Sequence, residues 1–396
     1  MSIFFVSCQP GLEQDLKSEI EMFWHQMIDL DGLPTRSRPE FIDCEIIGGL
    51  EINCEKHLGY QINLFSKLAN RVLLRVSKFT ARYFDQFEKE LKRINFKEYF
   101  AEHAFSIQVD ASKSRLFHER NLIETAYKSF GLSVKNIGDE KKQDMLQVYI
   151  RIYKDEATIS IDTSGQHLHK RGYRIEQGVA PIRETLAAKV YFKILQLSYE
   201  AKFDLFEKDA QFTFFDPFCG SGTMLFEAVA FKLPILDHSY AFERFANRPA
   251  LMKSETWKKN FKITDLSRFS VLGIEKDPET FKKLSVNKEH FYRKFPQMFG
   301  QRISFFNADS KSFDFQSLHG KKSILITNPP YGERLDSDEA VKIIKKIITE
   351  VQPQGIVIIH PTHWNLLVAD YQKIAVYDFD NQGLKLNLTI LKQKSI

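Results

Sequence analysis

Asn328-Pro329-Pro330-Tyr331 combines the residue types needed to hold a flat exocyclic amine. Such an amine is a poor nucleophile because its lone pair is delocalised, so a catalyst must grip its N–H groups and a ring face. The Asn328 side-chain oxygen and the Pro329 carbonyl are acceptors, Pro329 and Pro330 restrict the backbone, and Tyr331 offers a stacking face. The tetrapeptide follows the apolar run Ile324-Leu325-Ile326 and so leaves a buried strand, where open α/β enzymes concentrate their chemistry. An ordinary proline turn has the same composition. The company of the motif separates the two readings.

Upstream, Phe214-Phe215-Asp216-Pro217-Phe218-Cys219-Gly220-Ser221-Gly222-Thr223 reads as an apolar strand entering a glycine turn, with a helix from Met224 to Phe231. Glycines allow close backbone approach to a ligand, and a helix N-terminus favours a negative group. The third glycine of a dinucleotide fingerprint is absent. A second strand, Ser270 to Asp277, ends in acids, and Glu275 is placed to accept both hydroxyls of a ribose. A third, Ile303 to Asp309, ends in an acid suited to an adenine amino group. Each acid alone reads equally as a solvated loop carboxylate. Together they stand in chain order at successive strand ends.

These residues resemble the class I S-adenosylmethionine-dependent methyltransferases, and among them the RNA guanine-N2 methyltransferases that carry a THUMP domain. The most specific part lies in Asp162-Thr163-Ser164-Gly165, His169-Lys170-Arg171-Gly172-Tyr173-Arg174 and Ala180-Pro181-Ile182-Arg183-Glu184-Thr185-Leu186-Ala187-Ala188. Ala241-Phe242-Glu243-Arg244-Phe245 is similar to the family's insert between the first methyltransferase helix and the second strand. The resemblance implies a Rossmann-like class I methyltransferase domain (α/β) preceded by an α+β ferredoxin-like and THUMP RNA-binding region. It implies S-adenosylmethionine as cofactor, held by Asp216, Phe218, Cys219, Gly220, Gly222, Thr223, Glu275, Asp277 and Asp309, with Pro181, Arg183, Glu184 and Thr185 on the pocket rim. Glu275 stands where relatives often have Asp, which leaves Glu275 and Asp277 as rival ribose ligands. Asn328, Pro329, Pro330 and Tyr331 are the implied catalytic residues, and Glu333 or Arg334 is expected near the base edge or a neighbouring phosphate. The implied reaction is methyl transfer to N2 of a guanosine in RNA, with 23S ribosomal RNA the favoured substrate. The alternatives are a transfer RNA guanine-N2 enzyme and a noncatalytic RNA-binding assembly factor. DNA adenine and protein glutamine methyltransferases share Asn-Pro-Pro-Tyr but do not account for the N-terminal half.

The chain has 396 residues with 56 Lys and Arg against 51 Asp and Glu, a net charge of +5. RNA contacts must therefore come from local basic patches and not from a global field. Lys113, Arg115, His118 and Arg120 are expected on RNA together with Arg171 and Arg174 of the bridge, as are Arg71, Arg75, Lys78 and Arg82 with Phe79 and Tyr83 among them. Cys8, Cys44, Cys54 and Cys219 show no CxxC spacing and no signal peptide precedes them, which fits reduced thiols in a cytoplasmic protein. No apolar run reaches bilayer length, so no membrane attachment is expected. No metal is expected: His118-Glu119 lacks the second histidine of a zincin helix, and His167-x-His169 has no further ligand nearby. The oligomeric state is left open.

To position the motifs, the sequence offers a strand at Ile3–Val6, a helix at Gly11–Trp24, and strand-like segments at Cys44–Ile52, Tyr60–Phe65 and Arg71–Val76. A helix at Phe84–Ile94, a strand at Phe105–Val109, a helix at Leu122–Phe130 and a hairpin-like pair, Leu146–Ile152 and Ala157–Ile161, follow. Residues 1–65 are read as a ferredoxin-like subdomain, 66–162 as THUMP and 163–396 as the methyltransferase domain, with a basic linker over 163–178. Leu386–Leu391 is the expected last strand, with no second catalytic domain after it.

Overall fold

In the computed structural model of the protein, the described residues are 1–42, 47–100, 103–130, 145–176, 182–199, 211–254, 256–261, 269–298, 303–330, 337–364, 366, 368–381 and 384–394. They form two compact units, Met1–His169 with Leu236–Lys262, and Lys170–Ile235 with Ile263–Ile396.

The first unit contains β1 (Ser2–Ser7), α1 (Glu13–Phe23), β2 (Glu40–Ile42), β3 (Gly49–Cys54), α2 (Lys56–Phe65), β4 (Arg71–Thr80), α3 (Phe84–Leu91), α4 (Lys97–Phe100), β5 (Phe105–Ser112), α5 (Glu119–Ser129), β6 (Leu146–Tyr153) and β7 (Glu156–Asp162). Its seven-stranded sheet runs β2-β3-β1-β4-β7-β6-β5. All pairs are antiparallel except β5 with β6. Strand β4 pairs with β1 on one side and β7 on the other, so the segments before and after it share one sheet. Leu146, Val148, Ile150 and Ile152 point inward along β6 with the period of two that a half-buried strand requires.

Tyr60–Phe65, expected as a strand, is the second half of helix α2. Every residue from His57 to Phe65 is buried, so the helix has no solvated face and leaves no 3.6-residue period to read. Its outer side is covered by residues 236–262, which return to this unit from between two elements of the other. Phe242 stacks on Tyr60 with centroids 5.0 Å apart, Phe245 meets Tyr60 edge-on at 5.9 Å, and Phe261 meets Phe65 at 5.3 Å. At the start of the stretch read as a linker, Thr163 and Ser164 are fully buried, their hydroxyls donating to the Val72 carbonyl and Asn63 Oδ1, each at 2.6 Å.

The second unit contains α6 (Glu184–Tyr199), β8 (Phe212–Asp216), α7 (Thr223–Ala230), β9 (Phe269–Glu275), α8 (Pro278–Lys294), β10 (Ile303–Asn307), β11 (Ser323–Thr327), α9 (Ser337–Val351), β12 (Gly355–Pro361), β13 (Tyr371–Asn381) and β14 (Leu384–Gln393). The sheet runs β10-β9-β8-β11-β12-β14-β13. Strands β10 through β12 in that order are parallel, and the last two are antiparallel. All five residues of β11 are buried, as a central parallel strand covered on both faces demands. Helix α9 lays Ala340, Ile343, Ile344, Ile347, Ile348 and Val351 on the core with Phe215, Leu325, Ile356 and Ile358 of the sheet.

Cys8, Cys54 and Cys219 are unpaired and buried, and Cys44 lies outside the described residues. Among the described residues no helix is long and apolar enough to cross a membrane.

Candidate active site

From β8 the chain builds outward to β9 and β10, then resumes on the other side at β11, so the sheet has its topological switch point between β8 and β11. Ligands of open α/β sheets bind outside the strand ends at that point. Asp216, the last residue of β8, is 1% exposed. Its Oδ1 accepts the Phe218 N–H at 2.9 Å and the Thr327 hydroxyl at 2.5 Å. Burial pushes the Asp216 carboxyl up to about 7, the two hydrogen bonds opposing the rise and the charge of Glu275 adding to it. Thr327 closes β11, so the bond ties the glycine turn to the loop that carries Asn328.

The turn itself needs glycine. Gly220 and Gly222 have φ of 54° and 86°, in the left-handed region, and a Cβ on Gly222 would lie 2.6 Å from Leu284 Cδ1. The Cys219 N–H donates to the Ile274 carbonyl at 3.0 Å, seating the turn on β9, and burial raises its thiol well above the ordinary value. Phe218 is half-buried beside it. Helix α7 begins at Thr223, whose buried Oγ1 has no hydrogen-bond partner among the described residues.

At the end of β9, Glu275 and Asp277 part company. Glu275 is half-buried, which raises its carboxyl, and it accepts the Asp277 N–H at 2.7 Å with Gly220 of the turn also lowering it by a backbone hydrogen bond. Asp277 is exposed and caps α8, accepting from the Thr280 N–H at 2.8 Å and the Thr280 hydroxyl at 2.7 Å, which hold its carboxyl low. Beyond β10, Asp309 pairs with Lys276 at 2.7 Å, which lowers its carboxyl. The Ser310 hydroxyl donates to the Pro217 carbonyl, and Asn307 Nδ2 donates to the Glu275 and Lys276 carbonyls at 2.8 and 3.1 Å. Three successive strand-end loops are thereby laced together.

Asn328 follows β11 directly. Its Oδ1 is buried and has no hydrogen-bond partner among the described residues. Pro329 is buried and Pro330 half-buried. Tyr331, Glu333, Arg334 and Pro181 lie outside the described residues.

Two of the expected RNA contacts are displaced by burial. Arg171, at 1% exposure, is locked on Glu227 of α7, its Nε donating to the two carboxylate oxygens at 3.1 and 3.3 Å, and the Tyr173 hydroxyl donates to the same carboxylate at 2.7 Å. Arg174 donates to the Ile182 carbonyl at 2.6 Å and to Glu184 at 3.0 Å, both side chains nearly inaccessible. A guanidinium so enclosed cannot reach a phosphate; it fixes the start of α6 instead. Burial raises the Glu184 carboxyl and Arg174 opposes that rise. Beside Glu184, Arg183 is exposed, and Thr185 is buried with its hydroxyl unpartnered among the described residues. In the first unit, Arg71 and Arg75 are likewise engaged, on Asp162 and on Glu51, with side chains 19% and 11% exposed.

Lys113 and Arg115 are exposed. Lys113 Nζ stands 5.7 Å from the centre of the Tyr153 ring, with Lys154 Nζ at 5.3 Å and the Arg151 guanidinium at 5.8 Å from the same ring. Arg82 and Arg115 both lie 3.8 Å from Asp155. Lys78 pairs with Glu156 at 2.9 Å. Cations gathered around one aromatic face suit a stacked base and its phosphates.

Residues 171–354 match the family described as RMKL-like, methyltransferase domain, and residues 81–162 match the THUMP domain. The "Putative RNA methyltransferase YpsC" of Bacillus subtilis is 30% identical over 301 residues, 72% of this chain and 71% of that protein. The chain belongs to the THUMP-containing, RMKL-like methyltransferases. The "Ribosomal RNA large subunit methyltransferase K/L" of Cellvibrio japonicus is 25% identical over 86% of this chain, which spans only 44% of that protein. The chain therefore covers less than half the length of the K/L relatives. Among solved structures, a possible methylase from Clostridium difficile is 25% identical, with a TM-score of 0.71 over 100% of this chain and 99% of that one.

For this methyltransferase, sequence reasoning missed Thr327, Ser310, Asn307 and Glu227. Hydroxyls and amides beside a recognised motif have no signature of their own. Glu227 had one: a single acid inside the apolar helix Thr223–Ala230 requires a buried partner.

Proposed function

We propose that the chain transfers a methyl group from S-adenosylmethionine to the exocyclic N2 amine of a guanosine in RNA, in large-subunit ribosomal RNA. The observation that carries this reading is the buried, unpartnered Oδ1 of Asn328 at the sheet's switch point. A buried acceptor left without a donor costs about 1–3 kcal/mol, so such an atom points to a ligand that supplies the donor. Thr223 and Thr185, both expected at the cofactor pocket, carry unpartnered buried hydroxyls too. Unpartnered atoms also occur in this unit at Arg174, Ser323 and Trp364, and Asn328 and Thr223 differ from them in following β11 and β8, the strands that flank the switch point.

S-adenosylmethionine supplies an electrophilic methyl on a sulfonium. The protein's own part is to bind and align. Glu275, seated against the glycine turn, is the ribose ligand, because Asp277 spends its carboxylate on the α8 cap. Asp309 is the acid for the adenine amino group, exchanging an exposed ion pair with Lys276 that is worth little. Asp216 positions the Asn328 loop through Thr327. Asn328 Oδ1 accepts an N–H of the amine and strengthens that bond as the nitrogen gains positive charge, which lowers the barrier selectively. The amide oxygen is too weak a base to keep the proton, which leaves to solvent. An amine locked in a duplex must be flipped out or already single-stranded, and Tyr331 stacks it.

Ribosomal over transfer RNA rests on the names of relatives called ribosomal RNA large subunit methyltransferases, and guanine over adenine on the resemblance of the sequence to guanine-N2 enzymes. Lys113, Arg115, Arg151 and Lys154, gathered near the Tyr153 ring and Asp155, deliver the RNA. The test is methylation of purified 23S ribosomal RNA and of transfer RNA by wild type and Asn328→Ala, with nucleoside mass spectrometry. N2-methylguanosine from 23S RNA, lost in the variant while cofactor affinity stays within a few-fold, is expected. N6-methyladenosine as the main product overturns the base assignment, and full turnover by the variant removes Asn328 from catalysis.

A further inference from the structure

The segment Arg171–Glu176 lies across the glycine turn like a strap held at both ends. Arg171 and Tyr173 are fastened to Glu227 of α7. The Tyr173 ring wedges between Phe226 of α7 and Phe291 of α8, with centroids 5.4 and 5.7 Å away. The other end is held by one side chain. Asn287 of α8 is fully buried, and its Oδ1 accepts the Ile175 N–H at 3.1 Å and the Glu176 N–H at 3.0 Å. Its Nδ2 donates to the Glu176 carbonyl at 3.0 Å and, more loosely, to the Ser221 carbonyl at 3.4 Å.

An asparagine amide has two donors and two acceptor lone pairs, and here all four meet backbone groups. Three belong to the strap and the fourth to the glycine turn between Gly220 and Gly222. A fully satisfied buried amide defines one arrangement of the groups around it, since any shift leaves a donor or acceptor unpaired. A separate contact shows how near α8 stands to the turn: the van der Waals space at Gly222 is filled by Leu284, one helical turn before Asn287 and on the same buried face. Asn287 touches neither the strand-end acids nor the Asn-Pro-Pro-Tyr loop through any of these bonds. Its influence runs through the turn.

We propose that Asn287 is a positioning residue for methyl transfer, registering the 171–176 strap against Ser221 and so setting the shape of the glycine turn that receives the cofactor. The proposal rests on the S-adenosylmethionine reading above. Because Asn287 acts on the turn and not on the amine-holding loop, its loss should raise the cofactor KM while sparing kcat at saturating cofactor.

The test compares the full-length protein with Asn287→Asp and Asn287→Ala. Asp keeps both accepted N–H bonds but sets a carboxylate oxygen against the Glu176 and Ser221 carbonyls, so it detaches the turn while leaving two of the strap's three bonds. Calorimetry with S-adenosylhomocysteine and kinetics with S-adenosylmethionine on 23S RNA are the readouts. Both variants are expected to lose at least about tenfold in affinity and to raise KM to match, Asp removing two of the four buried hydrogen bonds and Ala all four, with kcat held within about threefold. Affinity unchanged in folded Asn287→Asp overturns the proposal. A fall in kcat matching the loss of folded protein, with KM unaltered, also overturns it, in favour of a purely structural amide. If Asn287→Ala does not fold, Asn287→Ser replaces it, and failure of all three to fold is likewise the structural outcome. A wild-type protein that binds no S-adenosylhomocysteine overturns the cofactor reading itself, whereas normal wild-type binding with unaffected variants sinks only the role of Asn287.

Discussion

The Thr327 hydroxyl donates a 2.5 Å hydrogen bond to the Asp216 carboxylate, joining the ends of β11 and β8 across the switch point of the sheet. Through it, the residue before Asn328 and the residue before the glycine turn share one buried anion. The carboxyl sits at about 7 because burial outweighs its two hydrogen bonds. The fold thus tolerates a costly charge at the place where the two halves of the site meet.

That cost has a sign. In the unfolded chain the Asp216 carboxyl titrates near about 4, and in the fold at about 7. Between those values the folded protein binds the extra proton, so this contribution to stability is full below about pH 4 and is lost as pH rises through about 7. Asp216→Asn, which keeps an acceptor for Thr327 and Phe218, should therefore stabilise the protein by about 4 kcal/mol at pH 8 and by nothing at pH 4. Urea titrations at the two pH values measure this, and a variant less stable than wild type at pH 8 contradicts it.

Glu275→Ala and Asp277→Ala should separate cleanly. Removing Glu275, the proposed ribose ligand, should weaken S-adenosylmethionine by roughly 1–3 kcal/mol in calorimetry. Removing the α8 cap costs about 0.5–2 kcal/mol of stability with affinity within a few-fold. The opposite pattern would transfer the ribose role to Asp277.

Arg171→Met leaves Glu227 and the Tyr173 hydroxyl without their buried cation and should destabilise the protein by about 3–5 kcal/mol. RNA affinity of the protein that remains folded should not change. Wild-type stability combined with weakened RNA binding would return Arg171 to an RNA surface.

Replacing Lys113, Arg151 and Lys154 together with Ala should weaken RNA binding and flatten its dependence on log salt by about 2, since each lost phosphate contact removes roughly 0.7–0.9 from the slope. Cofactor affinity should stay the same. Filter binding from low to moderate salt gives the slope, and one equal to wild type excludes this cluster from the interface.

The local chemistry of this protein is written in consecutive residues. The acid at the end of β8, the Gly220 and Gly222 turn, the acids after β9 and β10, and Asn328 beyond β11 were all legible, because strand periodicity and turn chemistry are short-range. What lies between those pieces was not. Helix α2 is buried on all sides and so shows no period, and its cover, Phe242 and Phe245, comes from a segment nearly two hundred residues later in the chain. Arg171 and Arg174 look like RNA ligands in a linear reading, since a sequence displays charge but not exposure. Only tertiary packing set Glu227 against one and Glu184 against the other, turning two cations into internal fasteners. Asn287 is the same case in reverse: a polar residue on the stripe of Leu284 and Phe291 signals a buried partner, yet the strap and turn it holds are far apart in sequence. The sequence by itself determines which groups the site possesses, and long-range packing decides which of them face the ligand and which are spent holding the fold, because burial depends on neighbours that no local window contains.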